Sequence, residues 1–229
     1  MPSEIDSEPM GLNEWFEIVR DAGPARVVGE GVITPLTNVM LPQHFRHIRA
    51  IIKAHPDMIP LIDFAIKVHD GQVRKDKVTP FIAHPLGILR WTHDQVSAMP
   101  YNYRVISMAT AVGHDTMEDG MYKSRKVRAT DLLDVGFPPA AVAAIIRLSK
   151  LDHSATLDDY RRRIMENGFA VFGKIGDLIN NLSGFPSSKK LVEYTDTLKI
   201  MMDCFPTAPF PDEDPALKAR LEWEKVNYG

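Results

Sequence analysis

The feature that most constrains this chain is the run of segments after residue 40 in which apolar side chains recur at three- and four-residue spacing, separated by short breaks and almost without strand signals. Such a run cannot close a sheet, so the fold class expected is all-α, a helical bundle with a small irregular N-terminal extension. Leu61, Ile62, Phe64, Ala65 and Val68 mark one helix that ends near Gly71. Pro85 suits the first turn of a second, with His84 at its cap and an end near His93. Val105, Ile106, Ala109 and Val112 trace a third helix, whose end carries His114, Asp115, Glu118 and Asp119 before Gly120. Thr130 is the expected cap of a short helix to Val135, and Pro138 and Pro139 open another to Leu148. Thr156 caps residues 157–167, which Gly168 closes; residues 169–182 and 191–205 read as two further helices. Four prolines from Pro206 to Pro215 suggest an extended arm with a last turn at 216–225. Val27, Val28, Val32 and Ile33, set between glycines, suit either a hairpin or a wrapping arm. The expected division is an N-terminal extension (1–42), one catalytic domain (43–205) and a proline-rich tail (206–229).

Charge and composition narrow the function classes. With 45% hydrophobic and 25% charged residues the chain has the balance of a globular protein. No apolar run is long enough to span a bilayer, so no membrane partner is expected. The acidic N-terminus lacks a basic region and an apolar stretch, which leads to a cytoplasmic expectation. A formal net charge of −3 is too balanced for the broad positive field that a long nucleic acid requires. Local clusters, Arg74, Lys75 and Lys77, then Lys123, Arg125, Lys126 and Arg128, still suit a small phosphorylated ligand; for the second cluster, solvated loop charge is the simpler reading. Cys204 is the sole cysteine and has no metal-site spacing.

Histidine and carboxylate side chains are natural ligands for a divalent ion, and His84, His114, Asp115 and Asp177 lie on three elements that can converge. On one continuous helix, Glu118 would stack over His114 and Asp119 over Asp115, a concentration of ionisable groups that a cation or substrate must compensate. Carboxylates near a helix C-terminus also oppose the dipole, which disfavours a purely solvated role for Glu118 and Asp119. Asp177 and Asn181 repeat the four-residue spacing.

Four stretches then carry a resemblance: HDGQVRKDKVTPFIAHPLGI (69–88), AVGHDTMEDG (111–120), RLSK (147–150) and KIGDLINNL (174–182). Their order and separations resemble the hydrolase domain of the RelA/SpoT homologues, of the small alarmone hydrolase type within the HD superfamily, over roughly residues 57–205. The resemblance implies that His84, His114, Asp115 and Asp177 bind one divalent ion, usually Mn2+. It makes Glu118 and Asp119 the catalytic carboxylates, places Arg74 against a purine base and Lys75 near phosphate, and gives Asn181 the ribose or its phosphate. His69 belongs to the pattern without being a ligand, and a structural role at its helix end is expected. The implied reaction is hydrolysis of the 3′-pyrophosphate of guanosine alarmones. The chain departs from the family where R-L-H-N follows the aspartate, since Leu178, Ile179, Asn180 and Asn181 stand here, and where a frequent tyrosine is Phe81. Nucleotide contacts decide which nucleotide fits. The alternatives are therefore a nucleotidase or phosphatase for another nucleotide, such as an adenosine alarmone or NADPH, and a hydrolytically weak domain that binds a nucleotide or a partner.

Overall fold

The structure, a computed structural model, describes residues 26–28, 31–33, 41–75, 77, 79–151, 154–184 and 186–228. It is an all-α bundle, as the periodicity dictates. The helices in chain order are α1 (Leu41–Ala54), α2 (Ile59–Val68), α3 (Ala83–Gln95), α4 (Tyr101–Gly113), α5 (Thr116–Asp119), α6 (Ala129–Val135), α7 (Pro139–Leu148), α8 (Leu157–Met165), α9 (Gly168–Ser183), α10 (Ser188–Cys204) and α11 (Pro215–Tyr228). Single 3-10 turns, Pro56–Met58 and Phe205–Thr207, precede α2 and follow α10. Two antiparallel hairpins complete the described residues. β1 (Arg26–Val28) pairs with β2 (Gly31–Ile33), the hairpin alternative for that segment, and β3 (Met121–Tyr122) pairs with β4 (Arg125–Lys126). The rest of the N-terminal extension lies outside the described residues, and α1 crosses its expected boundary at residue 42.

The centre of the bundle is α7, whose sequence PAAVAAIIRL is small or apolar on every side but one, as a helix surrounded by others must be. Ala141, Val142 and Ile145 face a core formed with α1 to α4 and α6, while Ala140, Ala144 and Leu148 face a second core formed with α8, α9 and α10. Helix α4 packs on α3, α7 and α9, which sets these helices around a shared end. The approach of α9 to α3 is close: a Cβ at Gly176 would lie 2.8 Å from Trp91 Cε3.

Several local expectations are corrected. First, the third helix does not run on to Asp119. It stops at Gly113, where the Thr116 hydroxyl takes the Gly113 carbonyl at 2.6 Å, and a separate short helix restarts at Thr116. Glu118 and Asp119 thus sit in a separate single turn, α5, too short to carry a macrodipole, so the dipole argument against a solvated role does not apply. Second, His84 lies inside the first turn of α3 rather than at its cap, and Thr130 is not a cap; the Asp131 carboxylate accepts from the Arg128 backbone N–H at 2.8 Å instead. Gly168 opens α9 behind its cap Asn167 and does not close α8.

Third, the expected last turn at 216–225 is a full helix that packs on the bundle. Leu217 and Leu221 lie against the first core. Glu224, 3% exposed, accepts from the backbone N–H groups of Ala129 and Thr130 at 2.8 and 3.2 Å, supplying from α11 the cap that α6 lacks. Asp214 makes a two-pronged ion pair with buried Arg147 at 2.7 and 2.8 Å and accepts from Asn167 Nδ2. Among the described residues no helix is long and apolar enough to cross a membrane.

Candidate metal centre

Three elements deliver the candidate ligands to one point. Helix α3 brings His84, the break after α4 brings His114 and Asp115, and α9 brings Asp177. His114 Nε2 lies 3.0 Å from Asp115 Oδ2 and 3.3 Å from His84 Nε2, and His84 Nε2 lies 3.1 Å from Asp177 Oδ1. His84, His114 and Asp115 each present a ligand atom within 4.8 Å of the other two. Asp177 joins through His84 and is also engaged elsewhere: Lys174 Nζ donates to its Oδ2 at 2.7 Å, and Asn181 Nδ2 to its Oδ1.

The donor set fits a divalent cation. Each imidazole spends Nδ1 on an acceptor, His84 on Asn180 Oδ1 at 2.6 Å and His114 on the Ala111 carbonyl at 2.9 Å. The two Nε2 atoms, left to face each other, repel unless a proton or a cation lies between them. Ligand atoms about 2.0–2.2 Å from one ion sit roughly 3 Å from their neighbours, the scale of the separations above. Charge follows the same logic. Burial alone would lower the His114 pKa, but the Asp115 carboxylate, with Asp177 and the Ala111 carbonyl, raises it to about 9. Burial would raise both aspartates, yet His114 holds Asp115 below its ordinary value, and Lys174 with the two histidines holds Asp177 well below. The centre is built to keep its carboxylates charged.

Above it opens a cleft of about 720 Å³. On one side lie Glu118 and Asp119. Glu118 Oε2 accepts from the Lys150 backbone N–H at 2.9 Å and its carbonyl from Lys126 Nζ at 2.6 Å, while Gln72 Nε2 donates to the Asp119 carbonyl at 2.8 Å. Partial desolvation, then the Asp115 charge, raise the Asp119 pKa. Neither carboxylate belongs to the His84, His114 and Asp115 group. Arg74 and Lys75 also line the cleft, on a loop pinned by the Val73 to Pro80 bridge, and Arg74 donates to Asn181 Oδ1 at 3.1 Å. Arg74, Asn181 and Asp177 thereby form one chain from cleft wall to ligand cluster.

All nine sequence-derived candidates, His84, His114, Asp115, Asp177, Glu118, Asp119, Arg74, Lys75 and Asn181, line this cleft. His69 does not; it donates to Gln72 and stacks on Phe81 at 4.7 Å between ring centroids, a structural role at the end of α2. The basic cluster at 123–128 stays out of the cleft: Arg125 pairs with Asp131, Arg128 covers the Tyr228 ring, and Lys126 holds the Glu118 carbonyl. Sequence reasoning assigned no role to Lys150, Lys174 and Lys190, which add positive charge to the cleft wall beside Tyr160 and Tyr194. Lys174 had a signal, since it stands three residues before Asp177 on one helix face. Lys190, near the start of α10, had none. Burial raises the Tyr160 phenol, whose hydroxyl donates to the Leu148 carbonyl at 2.8 Å. Leu178, where the family pattern has arginine, is buried in the second core.

Comparison of the chain with protein-family models and with curated proteins returns no match.

Proposed function

We propose that this chain is a divalent-metal-dependent phosphohydrolase that removes pyrophosphate from the 3′ position of guanosine alarmones, converting guanosine 3′,5′-bis(diphosphate) and its triphosphate counterpart to GDP and GTP. The observation that carries the reading is the meeting, in one cleft, of an ion-competent His and Asp cluster, two carboxylates outside that cluster, and basic side chains on its walls. A substrate with phosphate groups at both ends needs that distribution. A purely binding module needs neither the ligand cluster nor the paired carboxylates.

His84, His114, Asp115 and Asp177 would hold the ion, and Mn2+ is the ion the motif resemblance implies. When bound, a divalent ion supplies Lewis-acid polarisation of the phosphoryl oxygens and acidifies water. Glu118 and Asp119 then accept the proton of the attacking water and return one to the departing 3′ oxygen. The water oxygen bonds to phosphorus as the bond from phosphorus to O3′ breaks, leaving a 3′ hydroxyl and free pyrophosphate. Arg74 orients the purine through its planar guanidinium, held by Asn181. Lys75 and Lys150 neutralise phosphate charge, and Lys190, paired with Glu193 at 2.8 Å, would join them only by leaving that partner.

The test is a nucleotide panel with pyrophosphate and orthophosphate followed separately. Release of pyrophosphate from guanosine alarmones supports the reading. Much faster turnover of an adenosine or nicotinamide nucleotide would keep the phosphohydrolase and remove the alarmone.

A further inference from the structure

The amide of Asn180 lies on the far side of His84 from the ligand cluster, with Oδ1 at 2.6 Å from His84 Nδ1. An amide oxygen only accepts, so Nδ1 carries the proton and the Nε2 lone pair points to His114, Asp115 and Asp177. Helix periodicity brings this about. Asn180 follows Asp177 by three residues on α9, so one face of one helix sets Asp177 against Nε2 of His84 and Asn180 against Nδ1 of the same ring.

Helix α3 is shaped for the contact. Gly87, three residues after His84, lies where α9 crosses, and a Cβ there would stand 2.8 Å from Asn180 Nδ2. The space a side chain would fill is the space the amide occupies. The hydrogen bond and the glycine are separate observations with one reading.

We propose that Asn180 is a positioning residue that fixes the tautomer and orientation of His84 and thereby sets the affinity of the centre for a divalent ion. The proposal rests on the metal-dependent reading of the site. Asn180 would touch neither ion nor substrate; it acts through the imidazole. Partners of this kind typically alter ion affinity by about 10- to 100-fold when removed.

The test uses the full chain and two readouts. In metal-free protein, nitrogen-15 NMR of the histidines reports whether His84 carries its proton on Nδ1. Titration with Mn2+, following the free-ion electron paramagnetic resonance signal, reports the dissociation constant. Wild type should show the Nδ1-protonated ring, and Asn180→Ala should lose it and bind Mn2+ about 10- to 100-fold more weakly with its helical circular dichroism intact. Asn180→Asp, which keeps an acceptor, should restore both signals. Gly87→Ala, which displaces the amide without altering either partner, should weaken Mn2+ binding in the same direction. Equal Mn2+ affinity in wild type, Asn180→Ala and Gly87→Ala would overturn the role of Asn180 while leaving the metal reading in place. Absence of Mn2+ binding in wild type whose His84 ring is Nδ1-protonated would overturn the metal reading, and the proposal with it.

Discussion

Glu118 and Asp119 are neighbours in the chain, yet the turn of α5 gives them different surroundings. Glu118 is anchored by the Lys150 N–H, whereas the Asp119 side chain stands near Asp115 with its carboxyl pKa raised. Glu118→Gln and Asp119→Asn are each expected to lower turnover by about two orders of magnitude, as loss of a general acid or base does, with Mn2+ affinity unchanged. Steady-state kinetics beside ion titration checks this; a variant that loses the ion would make that residue a ligand. Arg74→Lys keeps charge but loses the planar donor that reaches Asn181, so it should raise KM more than it lowers kcat. At this scale the sequence was informative where a motif concentrates chemistry in a few positions, as at 114–119. It was silent where a partner comes from afar: Asn180 meets a histidine 96 positions away, and no spacing rule links them.

Helix α4 shows why element boundaries were harder to read than element identity. Val105 to Val112 give a clear helical period, but the stop at Gly113 depends on a Thr116 hydroxyl capturing a carbonyl, a choice the period does not encode. The β3–β4 hairpin is not legible in the sequence for a related reason. Its turn residues, Lys123 and Ser124, have φ of 49° and 61°, a conformation usually signalled by Asn-Gly. Helix α11 was masked by the prolines before it, although its buried contacts hold α6 and α7. Asp214 shows how strongly. Burial would raise its pKa, but Arg147, Asn167 and the Ala216 N–H hold it below the ordinary value. A carboxyl with a depressed folded pKa stabilises the fold above its unfolded pKa, about 3.9, and loses that contribution as pH falls through the folded value. Asp214→Asn is therefore expected to unfold about 3 kcal/mol more easily at neutral pH, the low end for a broken buried pair because Glu166 still meets Arg147. It should also show a shallower loss of stability below about pH 4. Urea titrations across pH 2 to 7 at roughly half-unit steps measure both effects. An acid profile identical to wild type would remove Asp214 from the account. Gly176→Ala, which puts a methyl 2.8 Å from Trp91, should cost about 1–3 kcal/mol by forcing α9 off α3 and should weaken Mn2+ binding as Asp177 moves.

On the scale of the whole molecule, two cores meet along α7, and the cleft lies where the start of α3 and the end of α4, both of the first core, meet α9 of the second. Each ligand is thereby fixed to a packed helix or its terminus, and no ligand depends on a long loop. That convergence explains how scattered polar residues, each unremarkable alone, form one centre. The all-helical class was legible because period survives without tertiary knowledge; the wall of lysines was not, because it is assembled from three elements. The most direct measurement of the central claim is product analysis with guanosine 3′,5′-bis(diphosphate), comparing Mn2+-loaded wild type, metal-stripped wild type and Asp115→Ala. The account predicts GDP and pyrophosphate in equal amounts from the loaded wild type, with neither from the other two. Full turnover after exhaustive chelation, or orthophosphate in place of pyrophosphate, would contradict it.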